Sequence, residues 1–185
     1  MKLQTSLTST AFCLFFLLWF HNAGAQQGPD LGFEFQAYPT GLIPGLRLEL
    51  PLAERYAASI RLGYNHIRHG NAGRHDDERG RGWGGTIGLK RYFAEGKKGW
   101  FATVRTDLWF NSIDWKDNIG LPEEVSGNTD IVVLQPTLEA GFCLRKTESW
   151  FLAPALAFGA EWNVKTSGSP TGEGLILLAG FTLGF

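Results

Sequence analysis

His69 and His75, followed by Asp76-Asp77-Glu78, offer nitrogen and oxygen atoms of the kind that ligate a divalent metal. Arg74, Arg79 and Arg81 stand among them, so the stretch reads as a solvated loop of mixed charge rather than a metal centre. His66 and Ser112 are the residue types of a base and a nucleophile, which must lie within about 2.6–3.2 Å of each other to work together. Cys143 sits in Ala140-Gly141-Phe142-Cys143-Leu144, an ordinary strand sequence with no base beside it. Gly82-Trp83-Gly84-Gly85 has no helix after it to present amides to a phosphate, and its glycines instead ease strand curvature and close packing. The sequence therefore predicts no catalytic residue, no metal and no cofactor.

The elements that would carry these residues show period two rather than period 3.6. Apolar side chains alternate with polar or small ones through most of the chain, which is the pattern of strands with two unlike faces. The alternation predicts eight strands at 31–39, 43–51, 56–67, 82–93, 100–113, 131–144, 150–164 and 174–185. Most are about 9–14 residues long, enough for a tilted strand, which needs about 9–11 to cross a bilayer, and longer than the usual five or six of soluble sheets. Short turns at 51–55, 94–99 and 145–149 alternate with polar loops at 68–81, 114–130 and 165–173. Thr40-Gly41-Leu42 is short but falls on the long-loop side. In this frame His66 and Ser112 lie two strands apart, too far to make a catalytic pair.

Face assignment separates the side chains by chemistry. Leu175, Leu177, Phe181, Leu183 and Phe185 share one face of the last strand, with Gly180, Thr182 and Gly184 on the other. Trp100, Val104 and Leu108 oppose Thr103, Arg105, Asp107 and Asn111, and Leu134, Leu138 and Phe142 oppose Gln135, Thr137 and Glu139. Projected over all strands, the inner face holds Glu34, Arg47, Glu49, Arg61, Lys90, Arg105, Asp107, Glu139 and Glu161. An eight-stranded barrel is only wide enough for its own side chains to fill, so these charges must pair. They are expected to form a structural network that plugs the lumen. Trp83, Trp100, Trp109, Trp115, Trp150 and Trp162 fall mostly near strand ends, where aromatic girdles would put them. A soluble barrel with an apolar lumen would need the faces reversed.

Residues 1–25 read as a secretory leader. Lys2 gives the positive end, Ala11–Phe20 the apolar stretch and Ala23-Gly24-Ala25 the cleavage site, so the mature chain is expected to start at Gln26. The apolar stretch is too short to cross a bilayer as a helix, which takes about 20 residues. Cys13 leaves with the leader, and Cys143 alone cannot form an intramolecular disulfide. Aromatics at 14%, 24 glycines and a single methionine agree with an all-β domain at 26–185. A net charge of -1 gives no reason to bind nucleic acid.

The leader, the eight alternating strands, Gly-Leu-Lys-Arg-Tyr-Phe at 88–93 and the ending Gly-Phe-Thr-Leu-Gly-Phe at 180–185 resemble the small outer-membrane β-barrel, or porin-like, family. The resemblance spans the mature chain. It implies a closed antiparallel up-and-down transmembrane β-barrel in the outer membrane of a Gram-negative-type envelope. It further implies that Phe185 is the signal read by the barrel-assembly machinery, and that outer-membrane lipid surrounds the barrel. The function expected is non-enzymatic, structural or surface-interacting, with a surface ligand or envelope protein meeting the loops at 68–81 and 114–130. Two alternatives within the family are a narrow channel and a lipid A-modifying enzyme, although the His-x-Ser arrangement of the deacylases is missing here.

Overall fold

The computed structural model describes residues 28–70, 74–147 and 150–185, so the expected leader lies outside the described residues. Eight strands follow one another without a helix between them: β1 (Asp30–Tyr38), β2 (Gly41–Ala53), β3 (Tyr56–Gly70), β4 (Asp77–Tyr92), β5 (Gly99–Asp117), β6 (Val125–Thr147), β7 (Trp150–Ser167) and β8 (Gly174–Gly184). Each pairs antiparallel with the next, and β1 pairs with β8 from Gly32↔Gly184 to Ala37↔Ala179, closing a barrel. Reciprocal backbone bonds between Leu31 and Phe185, of 3.0 and 2.9 Å, extend that seam to the last residue. Closure pairs every strand on both sides through the body of the ring, so the barrel wall has no open edge there.

The strands reach further than apolar alternation foretells. β3 runs to Gly70 and β4 begins at Asp77, while β5 runs to Asp117 and β6 begins at Val125. Much of the polar sequence expected as loops at 68–81 and 114–130 is therefore paired strand, with Arg68 opposite Arg79 and Asp114 opposite Asn128. These arms carry polar residues on both faces, which erases the period-two signal without weakening the backbone ladder. The first connection is also tighter than expected, only Pro39-Thr40 separating β1 from β2.

Alternation sorts the faces as the pattern requires. Leu62, Ile87, Val104, Leu138, Leu175 and Leu177 point outward and are exposed, while Arg61, Thr86, Arg105, Glu139 and Leu178 point into the barrel. The tryptophans divide less simply. Trp83, Trp100, Trp150 and Trp162 are exposed on the outer surface, but Trp109 is buried in the lumen and Trp115 stands on the inner face above it, stacked on His75. Those two share parity with Asp107 and Asn111, and parity overrides aromatic character in setting their direction.

The lumen is layered rather than uniformly polar. Near the short-turn end Tyr92, Phe101, Cys143, Phe151 and Ala153 pack together, and toward the long-connection end Ile43, Ile67, Trp109, Ile113, Ile131, Val133 and Ile176 form a second apolar cluster. The charged side chains lie between.

Candidate functional site

The central layer is assembled from one or two residues of each contributing strand. Glu34 comes from β1, Arg47 from β2, Arg61 from β3, Arg105 and Asp107 from β5, and Glu139 from β6. Arg61 places Nη1 2.6 Å from Glu34 and Nη2 2.7 Å from Asp107, and its Nε donates to Thr86 Oγ1 at 3.0 Å. Arg105 sends Nη1 to Glu139 at 2.8 Å and Nη2 to Asp107 at 3.0 Å. Arg47 bridges Glu34, 2.6 Å from Nε, and Glu139, 3.4 Å from Nη1. Its Nε contact is an ion pair rather than an aligned hydrogen bond. Gln36 accepts from both Arg61 and Arg105, and Thr86 donates to Asp107.

Three guanidinium groups thus face three carboxylates. Removing a charge from water is expensive unless partners and hydrogen bonds replace the hydration, and here each ionic side chain meets at least two of opposite sign or a polar neighbour. Arg47 and Arg61 stand directly opposite in the β2–β3 register, a like-charge pairing that only the carboxylates from β1, β5 and β6 make tolerable. A second unit lies toward the short turns, where Lys90 sits 2.6 Å from Glu49 and Tyr92 donates to the other oxygen of Glu49 at 2.6 Å.

Eight of the nine charges expected inside the barrel are accordingly buried and ion-paired. The ninth, Glu161 on β7, stands apart near the long-connection end and receives a 3.4 Å hydrogen bond from Gln135 Nε2. Sequence reasoning missed a third ionic cluster at the short-turn mouth, where Asp30 meets Arg145 at 2.7 Å and Lys97 at 3.1 Å. Asp30 and Arg145 share parity with Glu34 and Glu139 and were within reach of the same projection. Lys97 lies in a turn at φ 48°, beyond the reach of strand periodicity, and donates to the Gly28 carbonyl at 2.7 Å.

Above the central layer the barrel is not filled. Trp109 forms a floor, its Nε1 donating to Gln135 Oε1 at 3.2 Å, and a cavity of about 220 Å³ opens from it toward the long connections. Isoleucines from β2, β3, β5, β6 and β8 form its walls, with Tyr38, Asn65, Asn111 and Glu161 as polar interruptions and Glu78 and Glu173 at the rim. A lumen packed from end to end by its own side chains was the expectation, and the long-connection half departs from it, its isoleucines and short polar side chains leaving the space above Trp109 open.

The loop histidines take separate partners. His69 Nε2 lies 2.8 Å from Glu78, while His75 Nδ1 lies 2.7 Å from Asp117 on the neighbouring hairpin. The hydrogen bond from His75 holds the Asp117 carboxyl below the usual carboxylate range, helped by the Asp76 amide and opposed by partial desolvation. Among the described residues no three His, Cys, Asp or Glu side chains converge as metal ligands. His66 and Ser112 face outward with Arg81 between them in register, and Ser112 Oγ accepts from Asn128 at 3.1 Å. Cys143 is a free, buried thiol in the aromatic cluster.

No protein-family profile and no curated sequence matches the chain. Among solved structures it is similar to the N-terminal β-barrel domain of Pseudomonas aeruginosa OprF, at 14% identity and a TM-score of 0.43 over 86% of this chain and 98% of that one. Neisserial surface protein A gives 9% identity and a TM-score of 0.47 over 84% and 92%. The attachment invasion locus protein Ail of Yersinia pestis gives 7% identity and 0.47 over 86% and 99%.

Proposed function

We propose that this protein is a non-enzymatic outer-membrane β-barrel, sealed across its middle by ion pairs and presenting its extended β3–β4 and β5–β6 hairpins as a surface for contact. The observation that carries the proposal is the outward apolar band. Leu62 is 72% exposed, Ile87 68%, Leu138 65% and Val104 64%, and the register sets Leu46, Ile60, Phe158 and Leu89 beside them in that order. Proteins in water rarely leave so broad an apolar surface bare, whereas hydrocarbon solvates it without cost. Tyr64, Trp83, Phe110 and Trp162 edge the band on one side and Phe93, Trp100 and Trp150 on the other, as interfacial aromatic girdles do.

A leader at 1–25, cleavage before Gln26 and a Phe185 signal for the assembly machinery complete the proposed route to a Gram-negative-type outer membrane, where lipid surrounds the band. The hairpins, spanning 68–81 and 114–130, then face the outside, where a ligand or an envelope protein would meet them. A channel would need water to pass side chains that are at most 4% exposed and held by ion pairs. A lipid A enzyme would need His66 and Ser112 together, and Arg81 stands between them.

Expression of the full precursor, isolation of the outer membrane and comparison of unheated with boiled samples on an SDS gel test the location and closure together. A protein found there with Gln26 first and a mobility shift on boiling is expected. A periplasmic protein without a shift would overturn the proposal, and single-channel conductance above that of empty bilayers would overturn the seal.

A further inference from the structure

The cavity above Trp109 combines features that the sealed barrel does not use. Its walls are aliphatic, its floor is aromatic, and one side carries Glu161, which among the described residues receives a single long hydrogen bond and joins no ion pair. A carboxylate beside apolar walls loses hydration without gaining a counter-charge, a cost that a cationic ligand would remove. The other titratable groups facing the space are Tyr38, which donates to Asn65 at 2.7 Å, His69 and Glu78, 2.8 Å apart, and Glu173, which accepts the Asn163 amide at 3.0 Å. Among the described residues Glu161 in the wall and Glu173 at the entrance join no ion pair.

We infer that this vestibule is a binding site for a small organic cation, an ammonium or guanidinium group on an apolar body. The ammonium would lie against Glu161 and the body against Trp109 and the isoleucine walls. Three points select that class. An inorganic cation that sheds its water needs about six oxygen ligands in its place, and the largely aliphatic wall does not surround it with them. An anion would meet Glu173 at the entrance and Glu161 in the wall. A neutral apolar molecule would leave Glu161 uncompensated. At about 220 Å³ the cavity is below the 300–1,000 Å³ of sites for drug-sized ligands, so the occupant is a single ring or short chain bearing one charge. Tyr38, Asn65 and Asn111 add neutral hydrogen-bonding groups along one wall, and carboxylates at the rim favour the approach of cations.

The site belongs to the folded barrel and does not depend on the membrane that holds it, so the two proposals fail separately. The full chain, matured and folded in nanodiscs, is dialysed to equilibrium against 2-phenylethylammonium, 2-phenylethanol or 3-phenylpropanoate, with empty nanodiscs as the blank. Saturable binding of the ammonium, about tenfold or more tighter than the alcohol and with no binding of the carboxylate, is the expected result for one charge-assisted hydrogen bond in a partly dry site. Glu161→Gln should abolish the preference for the ammonium while leaving the alcohol unchanged. Ile176→Trp should fill the cavity and remove both. A barrel that still shows its heat-dependent shift but binds all three probes alike, binds none, or keeps its preference in Glu161→Gln overturns the inference.

Discussion

The guanidinium of Arg61 lies beneath the indole of Trp109, its Cζ 5.3 Å from the ring centroid, and the contact joins the ionic layer to the vestibule floor. The same Arg61 touches Glu34 and Asp107, and the same Trp109 holds Gln135 and, through it, Glu161. A cation against an aromatic face is worth about 0.5–2 kcal/mol, more in a desolvated setting. The floor is therefore fixed by the network below it, and a disturbance of either one is felt in the other.

Arg61→Met should destabilise the barrel by about 3 kcal/mol or more, because it removes one guanidinium from two buried carboxylates. Arg47 and Arg105 take up part of the loss, being 2.6 Å from Glu34 and 3.0 Å from Asp107. Neutralising one partner as well, in Arg61→Met with Asp107→Asn, leaves two guanidiniums facing Glu34 and Glu139 and should restore much of the stability. Urea midpoints of the gel-shift transition measure both, and a single variant as stable as the native chain would show that the layer does not act as one electrostatic unit.

Gly84→Ala should loosen the floor. A Cβ at Gly84 would run into Cε3 of Trp109 and the carbonyl of Leu108, so the indole has to move at an overpacking cost of about 1–3 kcal/mol. At Gly172 nothing lies within 4 Å, and Gly172→Ala should stay within about 0.5 kcal/mol of the native chain. Thermal midpoints in detergent compare the two, and equal values would count against the tight seating of Trp109.

The contact between the β3–β4 connection and the end of β5 should open in acid. Asp117 has its pKa lowered by the hydrogen bond from His75, so its contribution is present above the ordinary carboxylate range and is lost as pH falls through the depressed value. Because His75 stacks on Trp115 with centroids 4.2 Å apart, the near-ultraviolet signal of the indole should change below that range. Asp117→Asn should remove this acid step. Persistence of the step in the variant would assign it to another group.

Position along the outer surface should decide the effect of a new charge. Val104, which faces Leu138 across β5 and β6, lies in the middle of the band, so Val104→Arg should cost about 2–4 kcal/mol in a bilayer. Leu121 is equally apolar and 57% exposed but lies at the tip of the β5–β6 hairpin, and Leu121→Arg should be nearly silent. Folding titrations in lipid vesicles separate these cases, and two silent substitutions would remove lipid from around Val104.

Deletion of Phe185 should lower the amount of barrel in the outer membrane without preventing refolding in detergent. The residue is 68% exposed and joins the seam only through its backbone bonds to Leu31. Cell fractionation beside refolding yield distinguishes the roles; equal losses in both would make Phe185 a stability residue instead of a signal.

Period two made the eight strands and the directions of Arg61, Arg105 and Glu139 legible, because one residue of register exchanges inside for outside. The same rule contained the answer for Trp109, whose parity with Asp107 outweighs its resemblance to a girdle residue. Asp30 and Arg145 were lost at strand ends, where hydrophobicity fades before pairing stops. Polar arms such as Arg68–Gly70 and Asp77–Gly82 gave no apolar signal, since both of their faces carry polar or small residues. The vestibule was out of reach for a different reason. Glu161 and Ile43 come together only through the stagger of the closed ring, a quantity that no single strand encodes.

Arg47 ties a carboxylate on β1 to another on β6, and Arg61 ties β1 to β5, so the central layer links strands that never touch through their backbones. Contacts such as Arg47 to Glu139, from β2 to β6, exist only after the sheet has curled round on itself. A hairpin that docked one residue out of step would turn an arginine or glutamate toward hydrocarbon and simultaneously strand its partners inside. The layer thus works as a checksum on assembly, one that accepts a single alignment of all contributing strands and penalises every near miss from both sides of the wall.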